Sequence, residues 1–370
     1  MESCAVAPLT YISVGLEHGH MGSRDPENRK GLLGTFDHLA SGLAIRLVGI
    51  HDPGDPVRLA RECAYDPPVP GLDDLGTLVD ATRPDFAVVA LSAAATPGTV
   101  LALLRAGVHC FVEKTPARTA AEWRPVVDEA TRSGRHVHVN YPWRFHPAVR
   151  EMRRLVSSGD LGRPLAAVAS MVTGQVGPGT GRRDPRGFAY RPDTEGGGML
   201  HWLGAHFVEA LCAVMGDVTR VSAVCAPVHG HMGDDPRMDD VSFVTLRFAG
   251  GAVGNLQTGY LNAVAGENRD LIRVWGTEGD VHWPSLGPVI HIGRRATGTV
   301  EARTFEIPAV TGVYGNSEWM VDVAREFVSG IRTGTPPEVD ARAAMRVLEV
   351  LDAAYRSSGS GTEAGVSPSD

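Results

Sequence analysis

The sequence predicts an α/β protein: a Rossmann-like, doubly wound parallel sheet, then an α+β part with a large antiparallel sheet. Three observations carry this. Over the first 140 residues, short near-continuous apolar runs alternate with helical patterns, as in parallel strands covered on both faces. Beyond Asn140 strand signals dominate, many joined by short Gly turns such as Ala249-Gly250-Gly251, a hairpin signal. A length of 370 residues exceeds one ordinary core and favours about two domains. The expected boundaries are 1–140 and 141–356, with the Ser/Gly-rich 357–370 as a disordered tail.

In order, Tyr11–Val14 reads as a strand, Gly31–Ser41 as a helix and Ile45–Ile50 as the second buried strand. Strand Asp85–Leu91, helix Thr96–Ala106 and strand His109–Val112 follow in βαβ order, then helix Thr119–Thr131 and strand His136–Asn140. The second part opens with helix His146–Ser158 and strand Leu165–Val172. A Gly- and Arg-rich loop, Gly174–Asp193, leads to a helix from about Gly198 to Met215. Strands are expected at Val218–Ala226, Val241–Phe248, Ala252–Thr258, Leu271–Trp275, Val281–Trp283 and Thr299–Ile307. Helices Ser317–Arg332 and Ala341–Arg356 close the pattern. There is no internal repeat.

Composition limits the function classes. Apolar residues make up 43% and charged residues 21%, as in a soluble globular protein. A net charge of −8 argues against a nucleic-acid partner, whose phosphates need a basic surface. No apolar run approaches the roughly 18 residues of a membrane span, and Met1-Glu2-Ser3-Cys4 does not open a signal peptide. Five widely spaced cysteines without C-x-x-C suit a reducing cytoplasm, with Cys110, Cys212 and Cys225 as small core residues.

The chemistry begins at Glu113-Lys114. The pair ends the apolar run Val108-His109-Cys110-Phe111-Val112 and precedes Thr115-Pro116. In open α/β sheets ligands bind outside the carboxyl ends of the strands, where this pair falls. A solvated loop pair is the alternative. The stretch Gly107–Pro116 resembles the A-G-K-H-V-x-x-E-K-P segment of the glucose–fructose oxidoreductase, inositol dehydrogenase and rhizopine-catabolism (Gfo/Idh/MocA) family, with Thr115 displacing the proline. Arg144-Phe145, Ser158–Pro164, and Gly196-Gly197-Gly198-Met199-Leu200 with Gly204 and His206 extend the resemblance over nearly the whole chain. It implies this two-part fold, a nicotinamide cofactor, a small polar substrate and a homodimer or homotetramer paired through the antiparallel sheet. It also implies that Lys114 is catalytic or substrate-positioning, with His206 beside it.

The chain departs from the family in three places. After the first strand, where the family has G-x-G-x-x-G, stand Gly15-Leu16-Glu17-His18-Gly19-His20-Met21-Gly22. Gly15 supplies the tight turn, Glu17 replaces the second glycine and His20 the third; Gly19 or Gly22 could permit a re-formed loop. A Gly-rich turn holding no dinucleotide is the alternative. Residues 24–30 read as an insertion. After the fourth strand come Leu91-Ser92-Ala93-Ala94-Ala95-Thr96: Ser92 and Thr96 can bond a ribose or phosphate, or Thr96 is a helix N-cap with Pro97 at the first helical position. In the Gly-rich helix the family's catalytic Asp falls at Trp202, while His206 remains.

Asp52, closing the second strand, can accept both ribose hydroxyls and favour NAD over NADP, or be a turn residue before Pro53. Trp202, His206 and Glu209 share one face of an α-helix, with His201 rotated away. The candidate catalytic residues are Lys114 and His206. Glu113, Trp202, Arg144, His201 and Glu209 are candidates for substrate, and Gly15, Glu17, His18, Gly19, His20, Met21, Asp52, Leu91, Ser92, Thr96 and Glu113 for the cofactor. His18, His20, His201, His206 and Glu209 carry zinc-like ligand atoms. No H-x-x-x-H pair exists, however, and no metal is expected. Arg182, Arg183 and Arg186 with Asp184 read as a solvated basic loop, able to hold an anionic substrate group. The expectation is a cytoplasmic NAD-dependent oxidoreductase acting on a sugar, cyclitol or similar metabolite. A non-redox proton-transfer enzyme or a binding subunit on the same fold is the alternative.

Overall fold

The structure, a computed structural model, describes residues 7–16, 19–22, 30–174, 191–230, 235–264 and 270–366. The chain separates into two compact units: Met1–Pro116, Trp123–Asn140 and Ile307–Ala341 form the first, and Ala117–Glu122, Tyr141–Glu306 and Arg342–Asp370 the second.

The first unit begins with β1 (Leu9–Val14), α1 (Gly31–Leu43), β2 (Ile45–His51), α2 (Pro56–Cys63), β3 (Gly71–Leu72) and α3 (Leu75–Thr82). It continues with β4 (Phe86–Val89), α4 (Thr96–Arg105), β5 (His109–Val112), α5 (Ala120–Ser133) and β6 (Val137–Val139). The strands run parallel in the order β3-β2-β1-β4-β5-β6, a doubly wound sheet whose order reverses between β1 and β4. Every residue of β4 and β5 is buried, as the apolar runs required. Between β2 and β4 the chain forms α2, β3 and α3, which the apolar pattern did not announce. Their caps explain them: the Asp55 carboxylate accepts the Arg58 amide at 2.9 Å and the Asp74 carboxylate the Thr77 amide at 2.6 Å.

The second unit comprises α6 (Pro147–Ser157), β7 (Pro164–Val172), a short α7 (Pro192–Glu195), a π-helical turn (Leu200–Gly204) and α8 (Ala205–Met215). Then come β8 (Val218–Ala226), β9 (Val241–Phe248), β10 (Val253–Gly259), β11 (Leu271–Gly276), β12 (Gly279–Pro284), β13 (Val289–Arg294) and β14 (Thr299–Thr304). The first unit takes back α9 (Glu318–Thr333), which packs on α1 and β5. Helix α10 (Ala341–Ser360) and β15 (Ala364–Gly365) complete the second.

The nine-stranded sheet runs β14-β13-β12-β11-β7-β10-β9-β8-β15. It is mixed, not wholly antiparallel, because β10 lies parallel to β7. The chain leaves β7, passes through α8 and returns as the meander β8-β9-β10, which brings β10 alongside β7 in the same direction. Ala167, Ala169 and Met171 of β7 alternate inward, and α8 packs on that strand.

Three further expectations change. Part of the expected tail is ordered, since α10 runs through Ser360 and β15 pairs with β8. Strand β13 was not foreseen, and β14 ends at Thr304 rather than Ile307. Pro192–Met215 has the length and apolarity of a membrane span, but 89% of its most apolar window is buried inside the fold, so it is a core segment.

Candidate active-site residues

At the sheet's switch point stands Gly15. Its amide donates to His51 O and the Ala90 amide to Val14 O, both at 2.9 Å, so the chain leaves β1 between the ends of β2 and β4. Gly15 has φ +86°, and a Cβ on it would lie 2.0 Å from Ala90 O, so only glycine fits. Leu91 borders the same point, its Cδ2 being 2.7 Å from that Cβ position. The second close approach is made by Gly22, whose Cβ would meet Lys30 O at 1.9 Å. Gly19 has open space around it. The loop returns to the start of α1, where Leu32 and Leu33 donate to the carbonyls of His20 and Met21, both at 3.1 Å. Met21 is fully buried, and its sulfur accepts from the Ser13 hydroxyl at 3.5 Å, so its side chain belongs to the core. Glu17, His18, residues 24–29 of the insertion, and Arg182, Arg183, Asp184 and Arg186 lie outside the described residues.

Asp52 is buried, and its Oδ1 accepts the Gly54 amide at 2.8 Å, an Asx turn at the end of β2. Helix α4 is capped by Ala95, not Thr96. Thr96 is the first helical residue, with its hydroxyl and amide both donating to Ser92 O.

Glu113 and Lys114 close β5, 3% and 2% exposed. Glu113 Oε2 accepts the Lys114 amide at 3.0 Å and lies 3.0 Å from His20 Nδ1, while Oε1 accepts from the Asn140 side-chain amide. The Lys114–Thr115 peptide is cis. Tyr314 stands edge-on to His20 at 5.4 Å, and burial together with the nearby Glu113 charge pushes its phenol well above the ordinary range. The structure thus brings Glu113 and His20 together and adds two residues that sequence reasoning missed. Asn140 had a signal, being a polar residue ending a buried strand, as Asp52 and Glu113 do. Tyr314 had none, lying some two hundred residues downstream in an irregular segment.

In the second unit His201 and Trp202 lie in the π-helical turn, and His206 and Glu209 in α8. All four are buried. The α-helical face expected for Trp202, His206 and Glu209 is corrected here: i→i+5 bonding winds more residues per turn, so the 3.6-residue spacing fails upstream of Ala205. Glu209 is taken by Arg144, whose Nε and Nη2 donate to Oε1 at 2.6 and 2.5 Å. These two substrate candidates neutralise each other. The ring of His206 stands edge-on to Tyr141 at 5.9 Å.

The Gly-rich block is fixed by Asp239, a residue the sequence did not single out. Its Oδ1 accepts from Gly198 N at 3.1 Å and Tyr355 OH at 2.7 Å, and its Oδ2 from Leu200 N at 2.9 Å and Ser242 Oγ at 2.7 Å. Burial raises the Asp239 carboxyl above its usual range, against the pull of these donors. A Cβ on Gly198 would meet Asp239 O at 2.0 Å. No group of three or more His, Cys, Asp or Glu suited to a metal occurs among the described residues.

Two family descriptions match the chain: an oxidoreductase family with an NAD-binding Rossmann fold over residues 30–141, and a GFO/IDH/MocA C-terminal domain over residues 149–282. Among curated proteins, D-apiose dehydrogenase of Paraburkholderia graminis is 24% identical over 78% of this chain and 74% of its own length. The rhizopine catabolism protein MocA of Rhizobium meliloti is 22% identical over 86% and 89%. Among solved structures, an oxidoreductase domain protein from Kribbella flavida superposes with a TM-score of 0.81 at 20% identity, covering 98% of this chain and 100% of that one. A levoglucosan dehydrogenase in complex with NADH and L-sorbose also gives 0.81 at 20% identity, covering 97% and 99%. The switch-point glycine, the Glu113-Lys114 strand end, the Gly-rich block before α8 and both family matches agree: this chain belongs to the Gfo/Idh/MocA family of NAD-binding oxidoreductases.

Proposed function

We propose that this chain is an NAD(H)-dependent oxidoreductase interconverting a hydroxyl and a carbonyl on a sugar, cyclitol or similar small polyhydroxylated metabolite in the cytoplasm. One observation carries the reading. A single parallel sheet presents Gly15 at its switch point and a buried Glu113-Lys114 pair at the end of β5. The residues present suit a dinucleotide: Gly15, at φ +86°, makes the tight turn after β1 that only glycine can make there, and Asp52 follows β2 with a carboxylate. Residues 1–140 would serve as the dinucleotide-binding part and 141–356 as the substrate and oligomer part. Similarity to proteins such as levoglucosan dehydrogenase and inositol 2-dehydrogenase 2 supports the substrate class.

NAD(H), when bound, supplies or takes up the hydride. Asp52 would accept the adenosine ribose hydroxyls and disfavour a 2′-phosphate, hence NAD over NADP. Glu113, held by the Lys114 amide and Asn140, would keep the strand end rigid beside His20. Lys114 would give a proton to the substrate oxygen or, as the amine, take one from it. His206 would take the role the family resemblance implies, hydrogen-bonding a substrate oxygen or relaying a proton. Trp202 cannot transfer a proton and would lay an apolar face against the ring. The partners are a small molecule and a second copy of the chain, with no nucleic acid or membrane.

Thermal melting tests the reading. NADH should raise the melting temperature more than NADPH does, and absence of any shift with either cofactor would remove it. Trp202 favours one second reading, a family member without redox chemistry that uses Lys114 and His206 for proton transfer. Cofactor binding without change in nicotinamide absorbance on any sugar or polyol would support that alternative.

A further inference from the structure

Three side chains on the inner face of the nine-stranded sheet each carry a buried polar atom with no hydrogen-bond partner among the described residues. Thr173 follows β7, its amide donating to Gly259 O at 2.9 Å so that the ladder runs one residue further. Thr258 lies on β10, in register with Met171 of β7. Asp270 precedes β11 on the other side of β7, with its Oδ1 accepting the Val172 amide at 2.9 Å. Thr173 and Thr258 are 0% and Asp270 1% exposed. Both hydroxyls and Asp270 Oδ2 lack a hydrogen-bond partner among the described residues. Buried polar atoms are almost always partnered, so three on one sheet face call for an occupant. Thr258 and Asp270 flank the strand that Thr173 continues, about 10 Å apart at the usual strand spacing.

We infer that Thr173, Thr258 and Asp270 form a subsite that binds hydroxyl groups of a neutral polyhydroxylated ligand. A threonine hydroxyl both donates and accepts, and so does a sugar hydroxyl. The carboxylate contributes an acceptor and repels an anion. Burial pushes the Asp270 carboxyl up to about 7, so near neutrality it can also donate. The backbone bond from Val172 fixes one oxygen and leaves the other for a ligand. Thr258 lies beneath the π-helical turn: a Cβ on Gly204 would come 3.0 Å from its Cγ2. The subsite therefore borders the segment that carries Trp202. The inference rests on the proposed function only for the ligand class.

The test exploits the missing partners. Thr173→Val and Thr258→Val keep shape and remove only the hydroxyl. If the hydroxyls serve the fold alone, each change alters the melting temperature and nothing else. The full chain, with and without NADH, is titrated calorimetrically with myo-inositol, D-glucose and D-gluconate. The expected result is that wild type binds a neutral member more tightly than D-gluconate. Each valine variant should then melt no lower than wild type and lose about tenfold in affinity for that member. Asp270→Asn should lose at least as much, with NADH affinity unchanged in all three variants. Wild-type binding to none of the three ligands, preference for D-gluconate, or full affinity in the valine variants overturns the inference. Loss of NADH binding in wild type would instead strike the proposed cofactor role.

Discussion

Lys114 and His146 show how much one side chain's setting decides. Lys114 is buried at a strand end with its amide tied to Glu113. Lys114→Ala should lower turnover by about 10²-fold or more while the melting temperature stays within a few degrees, the scale expected for a lost acid–base group. Steady-state kinetics beside a melting curve check this, and equal losses in both would make Lys114 a packing residue. His146 is the cap of α6: its Nδ1 accepts the Ala148 amide at 3.1 Å, and its ring packs tilted against Trp283, with centroids 4.4 Å apart. Burial lowers its pKa to about 4. The unfolded chain therefore takes up this proton first as pH falls. The stability that depends on neutral His146 is complete above about 6.5 and drains away as pH falls toward 4. His146→Asn keeps a capping oxygen without the titration. Its melting temperature should fall less than that of wild type between about pH 7 and pH 4.5, though from a lower start because the ring contact with Trp283 is lost.

At the level of elements, the Gly-rich turn before α8 is the least forgiving. Gly198 lies against the Asp239 backbone, and the Asp239 carboxylate gathers two amides of the turn. Gly198→Ala should destabilise the chain by about 2–3 kcal/mol, read from chemical unfolding, because backbone cannot yield as a flexible side chain does. A change below about 0.5 kcal/mol, the size of an ordinary surface substitution, would mean the turn yields more readily than this close packing implies. This element also shows where sequence reading ends. The strands β4 and β5 and the strand-end residues Gly15 and Glu113 were legible because a buried parallel strand and its carboxyl end leave a local signature. The π-helical turn was not, since its apolar pattern over Leu200–Gly204 is compatible with an α-helix. Asp239 was invisible for another reason: its four donors come from Gly198, Leu200, Ser242 and Tyr355, and only the fold assembles them. Glu209 was legible as a carboxylate on the helix face of His206, but its capture by Arg144 depends on tertiary contact.

For the whole molecule, the outer face of the large sheet bears on assembly. Val224, Phe243 and Val253 are 66%, 48% and 44% exposed on β8, β9 and β10. Apolar side chains on neighbouring strands suit a second copy of the chain. Light scattering should give a mass above the 39.3 kDa of one chain. Phe243→Asp should lower that mass without changing the circular dichroism spectrum; a monomeric wild type would refute the expectation. The first unit has another consequence, in time. Its sheet ends at β6, but the Val139 amide donates to Val339 O at 3.0 Å, Trp123 Nε1 donates to Ala341 O at 3.0 Å, and Phe327 packs edge-on to Phe86 and Phe111. On the ribosome those partners emerge only after Tyr141–Glu306 of the second unit have been made. The strands and helices made first in this unit must therefore wait, with part of their aromatic core uncovered, until residues 307–341 have been made. A fragment ending at residue 141 should aggregate where the full chain does not, and the nascent protein should need chaperone cover longest over its first-made part.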